Sequence, residues 1–246
     1  MIKTSLSENS FSLISDEKFE EYKNFILNSL ETVFEKNPDM KANNDIDPNF
    51  ENIKMVFKVL GIRLIEIRNR LNEPQKWDYL TIDDLKSSLV GFFCAVEKNS
   101  NGKYKIIYNV AKQDEKDYLV DIHVESINNS TVYMPLAFKD VIRDLSANSR
   151  KYTQPGGEIK IGIWDDESKL TFVVQDNGKG IPDDEIDRVV DFGHRASNVK
   201  EQVSFGAGFG LTKAYFITKL HKGRMWIKSE LGKGTKIKIE IPHPNK

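Results

Sequence analysis

A length of 246 residues is too great for one small module and suits one large domain or two modest ones. The 36 Lys and Arg stand against 37 Asp and Glu, a net charge of −1, so nothing global drives the chain toward nucleic acid or anionic lipid. Cys94 is the sole cysteine, which excludes an internal disulfide framework and a cysteine-clustered metal site, and four histidines are too few for chemistry built on a histidine cluster. The start lacks a basic stretch followed by an apolar run, and no uncharged apolar segment approaches the ~20 residues of a membrane-spanning helix. The expectation is a cytoplasmic protein with no membrane span and no nucleic-acid partner.

In chain order, the polar residues 1–10 are expected to fray. Residues 16–36 place Phe19, Tyr22, Phe25, Ile26, Leu30 and Val33 at helical spacing. Asn37-Pro38 stops that helix, because a residue before proline resists the helical conformation. Turn formers at 38–48 predict a loop. Ile53, Phe57, Leu60, Leu64, Ile67 and Leu71 then follow at intervals of 4, 3, 4, 3 and 4, an a/d seam ended by Pro74. Thr81 and Asp84 have the spacing of a capping box for a further helix carrying Ile82, Leu85, Leu89, Phe92 and Val96. Two such helices read as an antiparallel hairpin over about 50–98. Val56, Val59, Ile62 and Ile65 widen the apolar face, which predicts a bundle completed by the N-terminal helix or by a second subunit. Residues 1–100 are thus expected to be an all-α region, dimerising through helices 50–98.

Beyond 101 the period changes. KYKIIYNVA and DYLVDIHVES alternate as strands, and residues 136–152 are helical with Phe138, Val141, Ile142 and Leu145 on one face. GEIKIGIWDD and KLTFVVQDNG form a hairpin. A short helix at 183–190, a helix at about 210–220 and two last strands follow. Strands that come in hairpins predict an α+β sandwich over 101–246, with helices on one face of a mostly antiparallel sheet.

Four clusters in this half could carry chemistry. Asp144, Asn148 and Lys151 share a helix face with Tyr152 beside them. A carboxylate, an amide oxygen and an ammonium there could hold hydrated Mg²⁺ and phosphates, or form an ordinary solvated face. Asp176-Asn177-Gly178-Lys179-Gly180-Ile181-Pro182 ends an apolar strand. It is a turn signal, but a carboxylate partly buried there needs a donor, and an adenine amine would serve. Gly206-Ala207-Gly208-Phe209-Gly210-Leu211 precedes a helix, whose start favours anions. It is neither a dinucleotide fingerprint nor a P-loop. Gly232-Lys233-Gly234-Thr235 reads alone as a hairpin turn.

Together and in this order, the motifs resemble the ATP-binding domain of sensor histidine kinases, in the GHKL superfamily with gyrase B, the mismatch-repair ATPases and the heat-shock chaperones. DLSANSRKYT resembles the N box and DNGKGIP the first glycine box. DFGHRAS is similar to the phenylalanine box, GAGFGL to the second glycine box and GKGT to the third. The resemblance covers about 130–246, roughly half of the chain. It implies a two-layer α/β sandwich of the Bergerat type, with ATP and Mg²⁺ as cofactors. Asn148 would chelate Mg²⁺, Lys151 would touch a phosphate and Tyr152 would lie near the nucleotide. Asp176 would accept the adenine amino proton with Thr235 nearby, and Gly178, Gly180 and Ile181 would shape the adenine pocket. Phe192 to Phe205 would form a lid ending in the phosphate loop of Gly206, Gly208, Gly210 and Leu211, and Arg195 would reach the γ-phosphate. Asp144 matches the general base of the superfamily's hydrolases and would activate a nucleophile or order the metal shell.

One departure stands out. A histidine kinase carries a phosphoacceptor histidine on its dimerisation hairpin, and residues 50–98 contain none. EIRNRL at 66–71 is only faintly similar to the acceptor box, which would put Ile65 where the histidine belongs. His123, His194, His221 and His243 all lie elsewhere. The expectation is a protein kinase of the histidine kinase type in two-component-like signalling. It would pass phosphate to a histidine in this chain or in a response-regulator-like or other partner. The alternative is an ATP-gated scaffold binding such a partner.

Overall fold

The computed structural model describes residues 16–37, 50, 53–54, 56–57, 60–61, 73, 75–199 and 209–244. The chain divides into two compact units, Met1–Pro74 and Gln75–Lys246. In the first, α1 (Asp16–Lys36) is the helix that the spacing predicts. Residues 50, 53–54, 56–57 and 60–61 are helical as well. Phe34 meets Phe50 edge-on at 5.2 Å between ring centroids, and Phe19 meets Phe57 at 6.3 Å. The end of α1 thus faces the start of the following helical stretch, and its beginning faces a later part, which is an antiparallel hairpin. Leu64, Ile67 and Leu71 of the seam, with Val59, Ile62 and Ile65, lie outside the described residues.

The second unit starts with β1 (Trp77–Thr81), a strand that the sequence reading missed, and α2 (Ile82–Lys98). The Thr81 hydroxyl accepts from the Asp84 amide at 3.0 Å, which is the predicted cap. However, α2 is not an arm of an N-terminal hairpin. Its Leu85, Leu89 and Phe93 are buried in one apolar cluster with Val120, Val141 and Ile142. The domain boundary therefore falls at 74/75, not at 100/101. Spacings of 3 and 4 mark an apolar face but not the surface it packs on.

β2 is only Ile106–Ile107, and Val110–Lys112 is a 3-10 turn capped by the Asn109 side chain, which shortens the strand expected there. β3 (Tyr118–Ser126), β4 (Thr131–Pro135), α3 (Phe138–Tyr152), β5 (Glu158–Asp165) and β6 (Lys169–Asp176) follow. Asp183–Arg188 and Ser197–Val199 are 3-10 turns, the former in place of an expected short helix. α4 (Gly210–Leu220), β7 (Arg224–Glu230) and β8 (Gly234–Pro242) complete the unit.

Six strands form one sheet in the order β2-β3-β5-β6-β8-β7, and β1 pairs with β4 apart from it. β2–β3 and β3–β5 are parallel and the other three pairings antiparallel, so the sheet is mostly antiparallel with a parallel edge. The chain passes through α3 between β3 and β5, and such a crossover is what a parallel pair needs. The register explains the two faces. Asp121, Lys160, Gln175 and Lys236 are exposed in one row across four strands. The row three residues along, Val124, Ile163, Phe172 and Ile239, is buried with Phe138, Leu145 and Ala214 of the helices. The second unit is an α+β two-layer sandwich with its core between helices and sheet.

Candidate functional site

Strand periodicity places the first functional group. Phe172 and Val174 point into the core, so Asp176, two residues further, points to the same helix-covered side. It is 9% exposed. Its Oδ1 accepts the Gly178 amide at 3.0 Å and the Thr235 amide at 3.2 Å. Burial pushes this carboxyl above its ordinary pKa, and the Gly178 amide, the Ser149 hydroxyl and the Thr235 amide oppose that push. Ser149 stands four residues after the buried Leu145 on α3, which aims it at the sheet.

The glycines let three backbones meet at this carboxylate. Gly234 has φ +110°, and a Cβ there would lie 2.0 Å from the Asp176 carbonyl oxygen. Gly180 has φ +67°, and its Cβ would lie 2.1 Å from the Glu230 carbonyl oxygen. Only glycine fits both conformation and space. The Lys179 amide donates to Tyr152 O at 3.0 Å and the Ile181 amide to Ser229 Oγ at 2.8 Å. The first and third glycine boxes are thus joined to the end of α3.

A cavity of about 360 Å³ opens beside Asp176. Asp144, Asn148, Lys151 and Tyr152 of α3 line it, as do Gly180 and Ile181. Arg195, Gly210, Leu211 and Thr235 line it as well. The structure thus brings together eleven of the residues singled out in the sequence, Asp176 included. Gly178 gives its amide to Asp176 but does not line the cavity. Phe192 stands outside, 79% exposed and stacked on Phe209 at 4.5 Å. Gly206 and Gly208, with most of the segment expected to be a lid, lie outside the described residues.

Sequence reasoning missed Ser149, Val189, Asn198, Phe209 and Ile237, which also line the cavity. Ile237 could have been found, because it lies two residues after Thr235 on a strand that alternates. Asn198 Nδ2 donates to Gly180 O at 3.0 Å, while its Oδ1 is buried with no partner among the described residues. His194 Nε2 is likewise buried, 3.5 Å from Glu185 and too far for a good hydrogen bond. Buried polar atoms of this kind are ones a ligand or water satisfies.

At the other end, α4 starts against α3. A Cβ on Gly210 would lie 3.0 Å from Asn148 Nδ2. No side chain among the described residues caps α4, whose first-turn amides and dipole suit an anion. Among the described residues no group of three or more His, Cys, Asp or Glu could hold a metal. The Asn148 amide oxygen and the Asp144 carboxylate suit Mg²⁺ nonetheless. That ion takes one or two protein oxygens and completes its shell with water and phosphate. One end of the cavity thus presents a buried acceptor and apolar walls, and the other presents amides, an ammonium and hard oxygen donors.

Residues 134–245 match the family described as "Histidine kinase-, DNA gyrase B-, and HSP90-like ATPase". Sensor protein SrrB of Staphylococcus aureus (strain COL) is 35% identical over 104 residues, which are 42% of this chain and 18% of SrrB. Among solved structures, Acinetobacter baumannii histidine kinase AdeS is 16% identical, with 91% of this chain and 96% of that one covered and a TM-score of 0.48. The catalytic domain of histidine kinase ThkA is 20% identical, with 68% and 97% covered and a TM-score of 0.48. The second unit carries an ATP-binding domain of the histidine kinase type, in the GHKL superfamily. No helix among the described residues is long and apolar enough to cross a membrane.

Proposed function

We propose that this chain binds Mg-ATP in the cavity beside Asp176 and passes the γ-phosphoryl group to a protein side chain, as in two-component signalling. The observation that carries the reading is the pairing of two unlike ends in one cavity. A buried carboxylate faces it at one end, and Asn148, Lys151 and the start of α4 stand at the other. Asp176 accepts the adenine amino group, and Tyr152, Ile181 and Ile237 flank the ring. Asn148 holds Mg²⁺, with Asp144 ordering its shell, and the ion neutralises phosphate charge. Lys151, Arg195 and the α4 amides hold the phosphates. Phosphoryl transfer needs this positioning and charge neutralisation more than covalent help.

Two copies of the chain are proposed to pair through the N-terminal hairpin. Tyr22, Phe25, Ile26, Val33 and Leu60 are exposed on it, apolar surface that a second hairpin would cover. The acceptor is proposed to be a histidine on a partner protein, because residues 1–122 hold no histidine. The same fact favours a second reading, an ATP-gated scaffold that binds a response-regulator-like partner without phosphorylating it. Incubation with γ-labelled ATP, alone and with candidate partners, separates them. Label on a partner histidine supports transfer. Nucleotide binding with no label on any protein supports the scaffold. No nucleotide binding refutes both.

A further inference from the structure

Two carboxylates stand among the described residues lining the cavity, Asp176 and Asp144. Asp176 is committed to the Gly178 and Thr235 amides. Asp144 is at the end where phosphate would lie, and both of its oxygens face cations. Lys213 Nζ pairs with Oδ2. Arg143 Nε lies 3.7 Å from Oδ1, and that guanidinium is itself held by Asp140 at 3.1 Å. The side chains of Lys213 and Asp144 are 33% and 29% exposed, so water reaches the pair only in part.

Lys213 is delivered by the helix start that would hold the phosphates. It is the fourth residue of α4, and its amide donates to Phe209 O at 2.8 Å. The preceding Thr212 hydroxyl donates to Asp191 O at 3.0 Å, which ties the same turn to a second segment. The backbone that carries the ammonium is therefore held, and the ammonium pairs with Asp144.

We propose that Lys213 is a positioning residue that keeps Asp144 from activating water, so that bound ATP is kept for transfer to a protein. The inference rests on the reading that the cavity takes Mg-ATP. In hydrolysis, a water oxygen bonds to the γ-phosphorus while the bond to the β,γ-bridging oxygen breaks. The bridging oxygen leaves on ADP with the electron pair, and the water proton goes to a base. Asp144 is the carboxylate placed to take that proton, and its lone pairs are directed at Lys213 and Arg143 instead. In transfer to a protein the same bond breaks, but the acceptor side chain replaces water and does not need Asp144 as a base.

The test uses the full chain and measures phosphate release, KM for ATP and ATP affinity by calorimetry. A positioned base is worth about 10²–10⁴ in rate, so removing the ammonium is expected to raise turnover about tenfold or more. Lys213→Met should show that rise with KM within about twofold of wild type. Lys213→Arg should stay at the wild-type level. Lys213→Met combined with Asp144→Asn should not show the rise. Lys213→Gln serves if the Met variant does not fold. Unchanged or lower turnover with ATP affinity retained overturns the inference and leaves the ATP site standing. A large rise in KM with lower turnover also overturns it, because Lys213 would then be a phosphate ligand. Absence of ATP binding in wild type would overturn this inference together with the reading it rests on.

Discussion

Replacing Asp176 by Asn separates the role of this residue in recognition from its role in the fold. Its Oδ1 accepts both backbone amides, from Gly178 and Thr235. An Asn carbonyl oxygen placed there keeps both bonds. The other oxygen becomes an NH₂ group, which would face the adenine amino group donor to donor. The lost hydrogen bond to a charged acceptor is worth about 1.5–3 kcal/mol, about 10- to 150-fold in Kd. The stability sign runs the other way. Burial raises the folded-state pKa of Asp176. The folded chain then holds the proton more tightly than the unfolded chain, and stability falls as pH rises from the unfolded pKa through the folded one. Above that window the ionised Asp176 is a standing cost, which Asn removes. Calorimetry and thermal melts at neutral pH should therefore show ATP affinity reduced at least tenfold with a melting temperature equal to or above wild type. Preference for ATP over GTP should narrow, since the new NH₂ can donate to the guanine oxygen. Unchanged affinity, or unchanged nucleotide preference, in a well-folded variant would refute the assignment.

Asn148→Ala should abolish the Mg²⁺-dependent part of ATP binding, and equal wild-type and variant affinities with and without magnesium would count against the metal role. Phe93→Ala removes a fully buried ring from α2. It should destabilise the second unit by about 3–5 kcal/mol, or roughly 6–20 °C at about 2–4 °C per kcal/mol; a shift of a degree or less would return α2 to the N-terminal region. Gly234→Ala forces a side chain into φ +110° against the Asp176 carbonyl. It should cost about 1–3 kcal/mol or more and weaken ATP binding with it; wild-type melting and affinity would contradict the described turn. Burial holds the pKa of His221 below its ordinary value. Its contribution is complete above the unfolded value of about 6.5 and is lost as pH falls through the folded one. The melting temperature of wild type should then drop more between about pH 7 and pH 5 than that of His221→Gln; equal slopes would contradict it.

The site was legible where chemistry is written in short motifs. Asp144, Asn148 and Lys151 share a face because helix spacing dictates it, and Asp176 points inward because strand alternation does. What stayed hidden depended on distant partners. Trp77–Thr81 is a strand because Thr131–Pro135 pairs with it in register, and nothing local announces that pairing. The apolar face of α2 reads the same for a helical bundle as for a sheet, so its assignment to a dimerisation hairpin failed on the partner and not on the pattern. The hairpin itself was half legible. Phe19 and Phe57 were both on predicted apolar faces, but the spacing left open whether the N-terminal helix or a second subunit would cover them. The exposure of Phe192 was also invisible, because an aromatic residue in a glycine-rich stretch gives no sign of which side it faces.

The central claim is that one cavity holds adenine at Asp176 and the phosphates at Asn148 and α4. Its most direct test is a crystal structure of the full chain with magnesium and a non-hydrolysable ATP analogue. The account predicts the adenine amino group within hydrogen-bond distance of the Asp176 carboxylate, and the metal on the Asn148 side-chain oxygen. Nucleotide bound elsewhere, or in this cavity with its ring turned away from Asp176, would contradict it.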